Sequence, residues 1–117
     1  MHELSIAQSI LDIVADAVPD PGNRALLRVV KVKVGKLSGV LPEALEFCFE
    51  ALVTDTPLAA AKLAIDVIPI RLECADCSAV SIVEELAGAC PACGGRARVT
   101  AGTELQVTEL ELAEALT

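Results

Sequence analysis

The sequence predicts an α+β fold of two helices and three strands, with a small cysteine-rich module inserted before the last strand. Three observations lead to this prediction: apolar residues recur at helical spacing in two segments, they alternate in three others, and two Cys-x-x-Cys pairs precede the last alternating segment. The chain has 117 residues, about the length of one ordinary domain, so any second module must be small. Its hydrophobic fraction of 54%, which rests on Ala, Leu and Val, favours a folded chain with an aliphatic core.

The first helical segment runs from about residue 4 to Val18. Its apolar residues recur every three or four positions and polar residues occupy the opposite face, which is typical of an amphipathic helix. The run Pro19-Asp20-Pro21-Gly22 ends it. The predicted buried stripe is Leu4, Ala7, Ile10, Leu11, Val14 and Val18, and the predicted solvent face is Gln8, Ser9, Asp12 and Asp16.

The first strand is predicted over residues 27–34, which are rich in β-branched side chains. Val30, Val32 and Val34 fall on one side, and Lys31 and Lys33 fall on the other. This alternation is typical of a strand with one buried face.

The second helix is predicted to begin at Pro42, which suits a first helical position because its missing N–H would be unpaired there anyway. Glu43 complements the positive end of the helix dipole. Cys48 lies on the apolar stripe, and we interpret it as a buried, unreactive thiol. The whole predicted stripe is Leu41, Leu45, Cys48, Phe49 and Leu52.

The second strand is predicted over residues 62–71 and leads directly towards Cys74, and the third is predicted over residues 105–112. The residues between them are too few to build an independent core. We therefore expect the inserted module to need its metal to fold, since binding of a structural zinc supplies ~10–16 kcal/mol. The predicted division is a discontinuous domain of residues 1–70 and 101–117, interrupted by a zinc-binding domain of residues 71–100.

Four cysteines form the most specific pattern in the chain, in two pairs separated by twelve residues. Two thiolate pairs at this spacing close on one tetrahedral Zn²⁺ and leave no open coordination position. Gly94 and Gly95 follow the second pair and allow a tight turn whose amides point at the sulfurs. The sequence thus predicts a structural Zn(II) site, with the ligands Cys74, Cys77, Cys90 and Cys93.

A thiol–disulfide oxidoreductase is the competing interpretation of the second pair, because Cys90-Pro91-Ala92-Cys93 resembles a redox motif. Such a motif normally opens a helix after a strand, whereas a glycine pair follows it here. The structural metal site is therefore favoured over a redox site at Cys90 and Cys93.

Charge and composition exclude several functional classes. The net charge of −8 disfavours binding to nucleic-acid phosphates. No apolar run approaches the ~20 residues of a membrane helix, and the acidic start Met1-His2-Glu3 is unlike a secretory signal. We expect a cytoplasmic protein that binds neither nucleic acid nor membrane.

Conventional catalytic groups are scarce, since the chain has one histidine and neither tyrosine nor tryptophan. Its paired carboxylates have no companion histidine or nucleophile in sequence, so a solvated face explains them better than acid–base chemistry. These carboxylates are Glu84, Glu85, Glu109 and Glu111.

The single histidine is residue 2, where backbone groups can also bind a metal. The α-amine of Met1, the amide nitrogen of His2 and its imidazole can close adjacent chelate rings around one cation, and such nitrogen-rich sets favour Ni²⁺ or Cu²⁺ over Zn²⁺. The amide or carboxylate of Glu3 is the candidate for the remaining ligand. The alternative is a solvated histidine with no ligand role.

The Met1-His2-Glu3 start, the stretch from Leu4 to Ile10, the turn from Val34 to Ser38 and the two late cysteine pairs together resemble the HypA/HybF family of hydrogenase-maturation nickel metallochaperones. The resemblance extends essentially end to end. It implies two helices packed on a three-stranded sheet, with the zinc domain set on the insertion. It also implies a cytosolic, non-enzymatic carrier that holds Ni(II) through Met1, His2 and Glu3.

The same resemblance implies the partners. Members of the family cooperate with the GTPase HypB and help deliver nickel to the large subunit of [NiFe]-hydrogenase, and some also support urease, so urease maturation factors are further expected partners. We expect binding to use the helical domain and an exposed sheet edge. The main alternative is a zinc-ribbon adaptor that binds proteins without transferring nickel.

Two features depart from the family pattern. Some relatives place an acidic residue in the loop before the second helix, where this chain has Gly39-Val40-Leu41. Others have a histidine in the zinc module, where this chain has none.

Overall fold

A computed structural model describes residues 3–85 and 89–113 of the chain. These residues form two three-stranded sheets, of which the first is covered by helices on one face. The mixed α+β class predicted from the sequence is confirmed. In chain order the elements are α1 (Glu3–Ala17), α2 (Pro21–Arg24), β1 (Leu27–Gly35), α3 (Pro42–Val53), β2 (Lys62–Ile68), β3 (Ile70–Cys74), β4 (Val80–Val83), β5 (Ala97–Ala101) and β6 (Leu105–Leu112).

The first sheet has the strand order β2-β1-β6, with β1 parallel to β2 and antiparallel to β6. Val30, Val32 and Val34 of β1 pack into the core with α1 and α3, and each is at most 1% exposed. Lys31 lies on the open face, with its ammonium 3.0 Å from the carboxylates of both Glu109 and Glu111. The predicted division of this strand into an apolar and a lysine side is confirmed.

The two long helices lie where the sequence predicts them, with one correction at the start of each buried stripe. Leu4 is 48% exposed and Leu41 is 66% exposed, because Leu4 lies in the first turn of α1 and Leu41 precedes the first helical residue of α3. Ile6 is buried at the start of α1 instead of Leu4. Cys48 packs against the first core as predicted, but it is half-buried and not fully buried.

The predicted strand over residues 62–71 is wrong, because the structure divides it into two strands in different sheets. β2 ends at Ile68 and β3 begins at Ile70. Pro69 lies between them and has no N–H to pair in a sheet. β3 is the central strand of the second sheet, in the order β4-β3-β5, and neither β4 nor β5 was predicted.

The two sheets meet at the carboxyl end of β1. The backbone N–H of Lys36 donates to the Ile68 carbonyl at 3.0 Å, and that of Leu37 donates to the Gly102 carbonyl at 2.7 Å. Both chain connections between the sheets are therefore hydrogen-bonded to the same turn. The ammonium of Lys36 also pairs with the Glu84 carboxylate, which follows β4.

Among the described residues, no helix is both long enough and apolar enough to cross a bilayer.

Candidate metal centre

The four paired cysteines converge on one point of the second sheet. All four Sγ atoms lie within 4.8 Å of one another. The Sγ of Cys74 is 3.5 Å from that of Cys93, and the Sγ of Cys77 is 3.7 Å from that of Cys90. Four sulfurs at ~2.3 Å from a tetrahedral Zn²⁺ would be ~3.8 Å apart, so the cluster has the size of a zinc site.

Each cysteine pair is a turn with the same hydrogen-bond pattern. The Ser78 N–H donates to the Cys74 carbonyl at 3.1 Å, and the Gly94 N–H donates to the Cys90 carbonyl at 2.8 Å. Both donors have positive φ, 62° at Ser78 and 74° at Gly94. The sequence indicated the second turn through its glycines, but it gave no signal that Ser78 adopts the same conformation.

Backbone amides point at the sulfurs, as expected around thiolate ligands. The Gly95 N–H donates to the Cys93 Sγ at 3.3 Å, which confirms the turn predicted from the glycine pair. Equivalent donors reach Cys74 from Asp76 and Cys77, at 3.3 and 3.4 Å. These amides stabilise negative charge on the sulfurs independently of any bound cation.

A carboxylate joins the two turns, and sequence reasoning did not find it. Asp76 Oδ2 accepts the backbone N–H of Arg96 at 3.1 Å, across twenty residues of chain. Gly95 makes this approach possible, because a Cβ there would lie 2.3 Å from the same oxygen. Asp76 therefore helps to fix the distance between the two pairs of sulfurs.

The thiols differ in acidity. The Cys77 N–H, and then the Asp76 N–H, lower the pKa of Cys74 to about 7. At Cys93 the Gly95 N–H lowers the pKa, but the neighbouring thiols of Cys74 and Cys77 outweigh it and raise the pKa to about 12. The Ala79 N–H and the Cys93 thiol lower the pKa of Cys77, but the Cys74 thiol, burial and the Cys90 thiol together outweigh them, so this pKa is raised as well. A divalent cation is the natural counterion for such crowded sulfurs.

The arrangement disfavours a redox role for Cys90 and Cys93. Residues 91–95 form turns and bends and do not open a helix. Cys90 is buried, and its Sγ lies 3.7 Å from the Sγ of Cys77 in the other pair. A redox pair acts alone, whereas these sulfurs belong to a cluster of four.

Of the predicted amino-terminal ligands, Met1 and His2 lie outside the described residues. Glu3 is the first residue of α1, and its carboxylate accepts the backbone N–H of Leu41 at 3.4 Å. Leu41 ends the loop between β1 and α3. Glu3 thus lies beside this loop.

The fold and the cluster define a class: a small α+β protein with helices on one sheet and a four-thiol metal centre on a second sheet. Within that class the chain belongs to the family described as "Hydrogenase/urease nickel incorporation, metallochaperone, hypA", whose model matches residues 1–112. Proteins of this family are metallochaperone maturation factors, and the chain is accordingly not an enzyme.

Relatives support the assignment over nearly the whole chain. The protein named hydrogenase maturation factor HypA in Geobacter sulfurreducens is 47% identical over 113 residues, covering 96% of this chain and 99% of the relative. The protein of the same name in Streptomyces avermitilis is 38% identical, covering 94% of this chain and 86% of the relative.

Solved structures show the same fold. The solution structure of the Ni metallochaperone HypA from Helicobacter pylori matches with a TM-score of 0.63 and 25% identity, covering 98% of this chain and 100% of that chain. A second solution structure, of a HypA protein, matches with a TM-score of 0.67 and 26% identity over 96% of each chain.

Proposed function

We propose that this protein is a nickel carrier that binds Ni(II) at its amino terminus and helps to insert it into [NiFe]-hydrogenase, with a structural Zn(II) at the four clustered cysteines. Membership of the metallochaperone family is the observation that supports this function most directly. The similar protein from Helicobacter pylori is itself named a Ni metallochaperone.

The zinc part of the proposal rests on the donor set. Four thiol groups within 4.8 Å of one another fill a tetrahedral shell and leave no position for a substrate. Their amide donors and the Asp76 contact orient the ligands. Zn(II) in this shell holds the second sheet together and takes no part in nickel chemistry.

The nickel part rests on the chemistry of Met1, His2 and Glu3. An α-amine, a backbone amide and an imidazole form a nitrogen-rich set that favours Ni²⁺, and the Glu3 carboxylate adds an oxygen ligand. One Glu3 oxygen accepts the Leu41 N–H, and a carboxylate has further lone pairs for a cation. The cargo ion would be bound and released beside the loop that precedes α3.

The partners in this proposal are a HypB-type GTPase and the hydrogenase large subunit, with urease maturation factors as further partners, and the cytoplasm is the proposed location. The family description that matches the chain names both hydrogenase and urease nickel incorporation. The net charge of −8 favours basic protein surfaces over nucleic acid.

The test compares three untagged, zinc-loaded proteins: the native chain, His2→Ala, and a chain with one glycine added before Met1. Nickel is titrated into each by calorimetry, and elemental analysis gives nickel and zinc contents. We expect His2→Ala to lose nickel binding. We also expect the extended chain to lose it, because the Met1 amine becomes an ordinary amide, while zinc content stays the same in all three.

Each result has a distinct meaning. Normal nickel binding by the extended chain would remove the α-amine from the ligand set and leave a site made of side chains. Normal binding by His2→Ala would remove the main ligand of the carrier proposal. A native protein that binds no nickel but still binds maturation partners would instead be a zinc-ribbon adaptor.

A further inference from the structure

A groove of about 330 Å³ runs between α1 and the first half of β6. Its walls are mostly aliphatic, and two of the side chains are well exposed: Ile13 at 46% and Leu105 at 37%. Covering exposed apolar walls removes them from water and lowers the free energy, so such a groove is a candidate binding surface. Its lining includes Ser5, Ser9, Ile13, Leu105, Gln106 and Val107.

The groove lies beside an unpaired strand edge. β6 is hydrogen-bonded to β1 on one side, and no other strand within residues 3–85 and 89–113 pairs with its second side. An open edge presents a row of N–H and C=O groups to a further strand. Along Leu105–Val107, the unpaired backbone edge of β6 therefore lies next to the apolar groove.

Only one half of this edge is protected by charge. Glu109 and Glu111 occupy the second half of β6, where side-chain charge discourages unspecific strand pairing. The half that borders the groove, from Leu105 to Val107, contains no charged residue. Charge therefore discourages strand pairing along the part of the β6 edge away from the groove, whereas the part beside the groove remains available for pairing.

We propose that the Leu105–Val107 edge is a docking site for an extended, basic segment of a partner protein, which adds to β6 as a fourth strand. Every second side chain of the added strand points to the helix-covered face, so alternate apolar residues would enter the groove. The proposal specifies the partner surface of the nickel carrier, but it requires no nickel binding by this chain.

Charge decides which strand can occupy the edge. The β6 region contains Glu104, Glu109 and Glu111, of which two share the single ammonium of Lys31. Pairing two copies of β6 would bring six of these carboxylates to one ribbon, on a chain whose net charge is −8. Like charges across an interface are strongly unfavourable, whereas a strand with lysine or arginine on its solvent face complements the edge.

The test uses the full-length, zinc-loaded protein and a blocked synthetic peptide of seven residues in which lysine and valine alternate. Amide NMR spectra of the labelled protein are recorded during titration. We expect saturable shifts at residues 105–107 and in α1 from Ser5 to Ile13. Two comparison peptides have glutamate in place of lysine, or the same composition in blocks without alternation, and we expect both to bind at least ~10-fold more weakly.

Two pairs of matched variants locate the site. Leu105→Lys is compared with Leu112→Lys, since these exposed leucines lie at opposite ends of β6, and Ile13→Lys is compared with Leu4→Lys on α1. We expect Leu105→Lys and Ile13→Lys to weaken peptide binding about 10-fold and their partners to change it less than about 2-fold. Should Leu105→Lys not fold, as judged by its spectrum, the α1 pair gives the same comparison.

Several outcomes would overturn the proposal. These are no saturable binding, equal binding of the glutamate or block peptide, or equal losses within a matched pair. A protein that sediments as a dimer, and becomes monomeric in Leu105→Lys, would show that a second copy occupies the edge.

Discussion

At the scale of single residues, the convergence of the four paired cysteines was the most predictable feature of the chain. Spacing alone indicated that Cys74, Cys77, Cys90 and Cys93 would meet, and their sulfurs lie within 4.8 Å of one another. The supporting groups were not predictable, because Asp76 and Arg96 are twenty residues apart and no local pattern links them. Metal analysis tests the proposed assignment of Zn(II) to the cluster and of Ni(II) to the amino terminus.

Zinc binding should depend on pH in a direction set by the thiols. The pKa values of Cys77 and Cys93 are raised above the usual 9.0, so both thiols are protonated in the metal-free protein at about pH 8. Zinc must displace these protons, and we expect at least two to be released for each zinc bound. Calorimetric titrations in two buffers with different ionisation enthalpies measure this number.

The same linkage fixes the sign of the pH effect on affinity. Protons compete with zinc, so affinity should fall as pH falls. The pKa of Cys74 is lowered to about 7, so this thiolate takes up a proton mainly below that pH. Below pH 7 zinc must displace this proton as well, and zinc affinity should then fall more steeply with falling pH. Zinc affinity that does not change between about pH 6 and 8 would contradict a site made of four thiolates.

Replacing Asp76 tests the connection between the two cysteine turns. Asp76→Ala removes the acceptor of the Arg96 N–H but leaves every sulfur in place. We expect zinc affinity to fall about 10-fold, as is typical when a group that orients metal ligands is lost. Competition with a chromophoric chelator measures the change. Asp66→Ala, at an exposed position of β2, is the control. Equal effects of the two substitutions on zinc affinity would indicate a general effect of lost negative charge.

At the scale of elements, the sequence predicted those whose pattern was local and unbroken. The valine–lysine alternation of β1 and the apolar stripe of α1 each follow from one period. The stretch over residues 62–71 was misassigned because alternation continues through Pro69 while the backbone changes sheet. β4 and β5 were missed because their identity depends on pairing with β3, which no local pattern records.

Removing one ligand should affect the second sheet and spare the first. Cys74→Ser or Cys93→Ser leaves three thiolates, and we expect loss of zinc and loosening of β3, β4 and β5, because few residues of this sheet are buried without the metal. Zinc analysis and amide hydrogen exchange measure both effects. α1, α3 and the first sheet should keep their protection.

Cys48→Ser is the matched control for these variants. Cys48 packs against the first core and is not among the clustered sulfurs. It should retain full zinc and lose only about 1 kcal/mol of stability from a hydroxyl placed in apolar surroundings. Native zinc content in Cys74→Ser or Cys93→Ser would exclude the four-thiolate site.

At the scale of the whole molecule, the chain is elongated. Its radius of gyration is 18.0 Å and its extents are 60 × 28 × 18 Å, whereas one compact domain of this length would have a radius of gyration of ~13 Å. Our proposed division separates residues 1–70 with 101–117 from residues 71–100. The apolar core that could be predicted from sequence belongs to the first of these, and we expect the second to need a metal to fold.

The turn that joins the two sheets provides a test at this scale. Gly35 ends β1, and a Cβ there would lie 2.1 Å from the Gly102 carbonyl oxygen, in the connection between β5 and β6. Gly35→Ala must therefore push the backbone at Gly102 away. This weakens the hydrogen bonds from Lys36 and Leu37 to the two segments that connect the sheets. We expect a loss of ~2–3 kcal/mol in the free energy of unfolding, as for other overpacked sites, with zinc content unchanged.

Gly39→Ala, in the same loop, separates crowding from backbone strain. Gly39 has φ of +78°, but no heavy atom lies within 4 Å of the position that a Cβ would occupy, so alanine there should cost only ~1 kcal/mol from the left-handed conformation. Urea unfolding followed by circular dichroism gives both free energies, and small-angle scattering gives the radius of gyration. Since only Gly35→Ala displaces a connection between the sheets, only it should change the radius of gyration of the folded protein. Equal losses of stability in the two variants, with neither changing in shape, would show that the Gly35–Gly102 contact does not set the arrangement of the sheets.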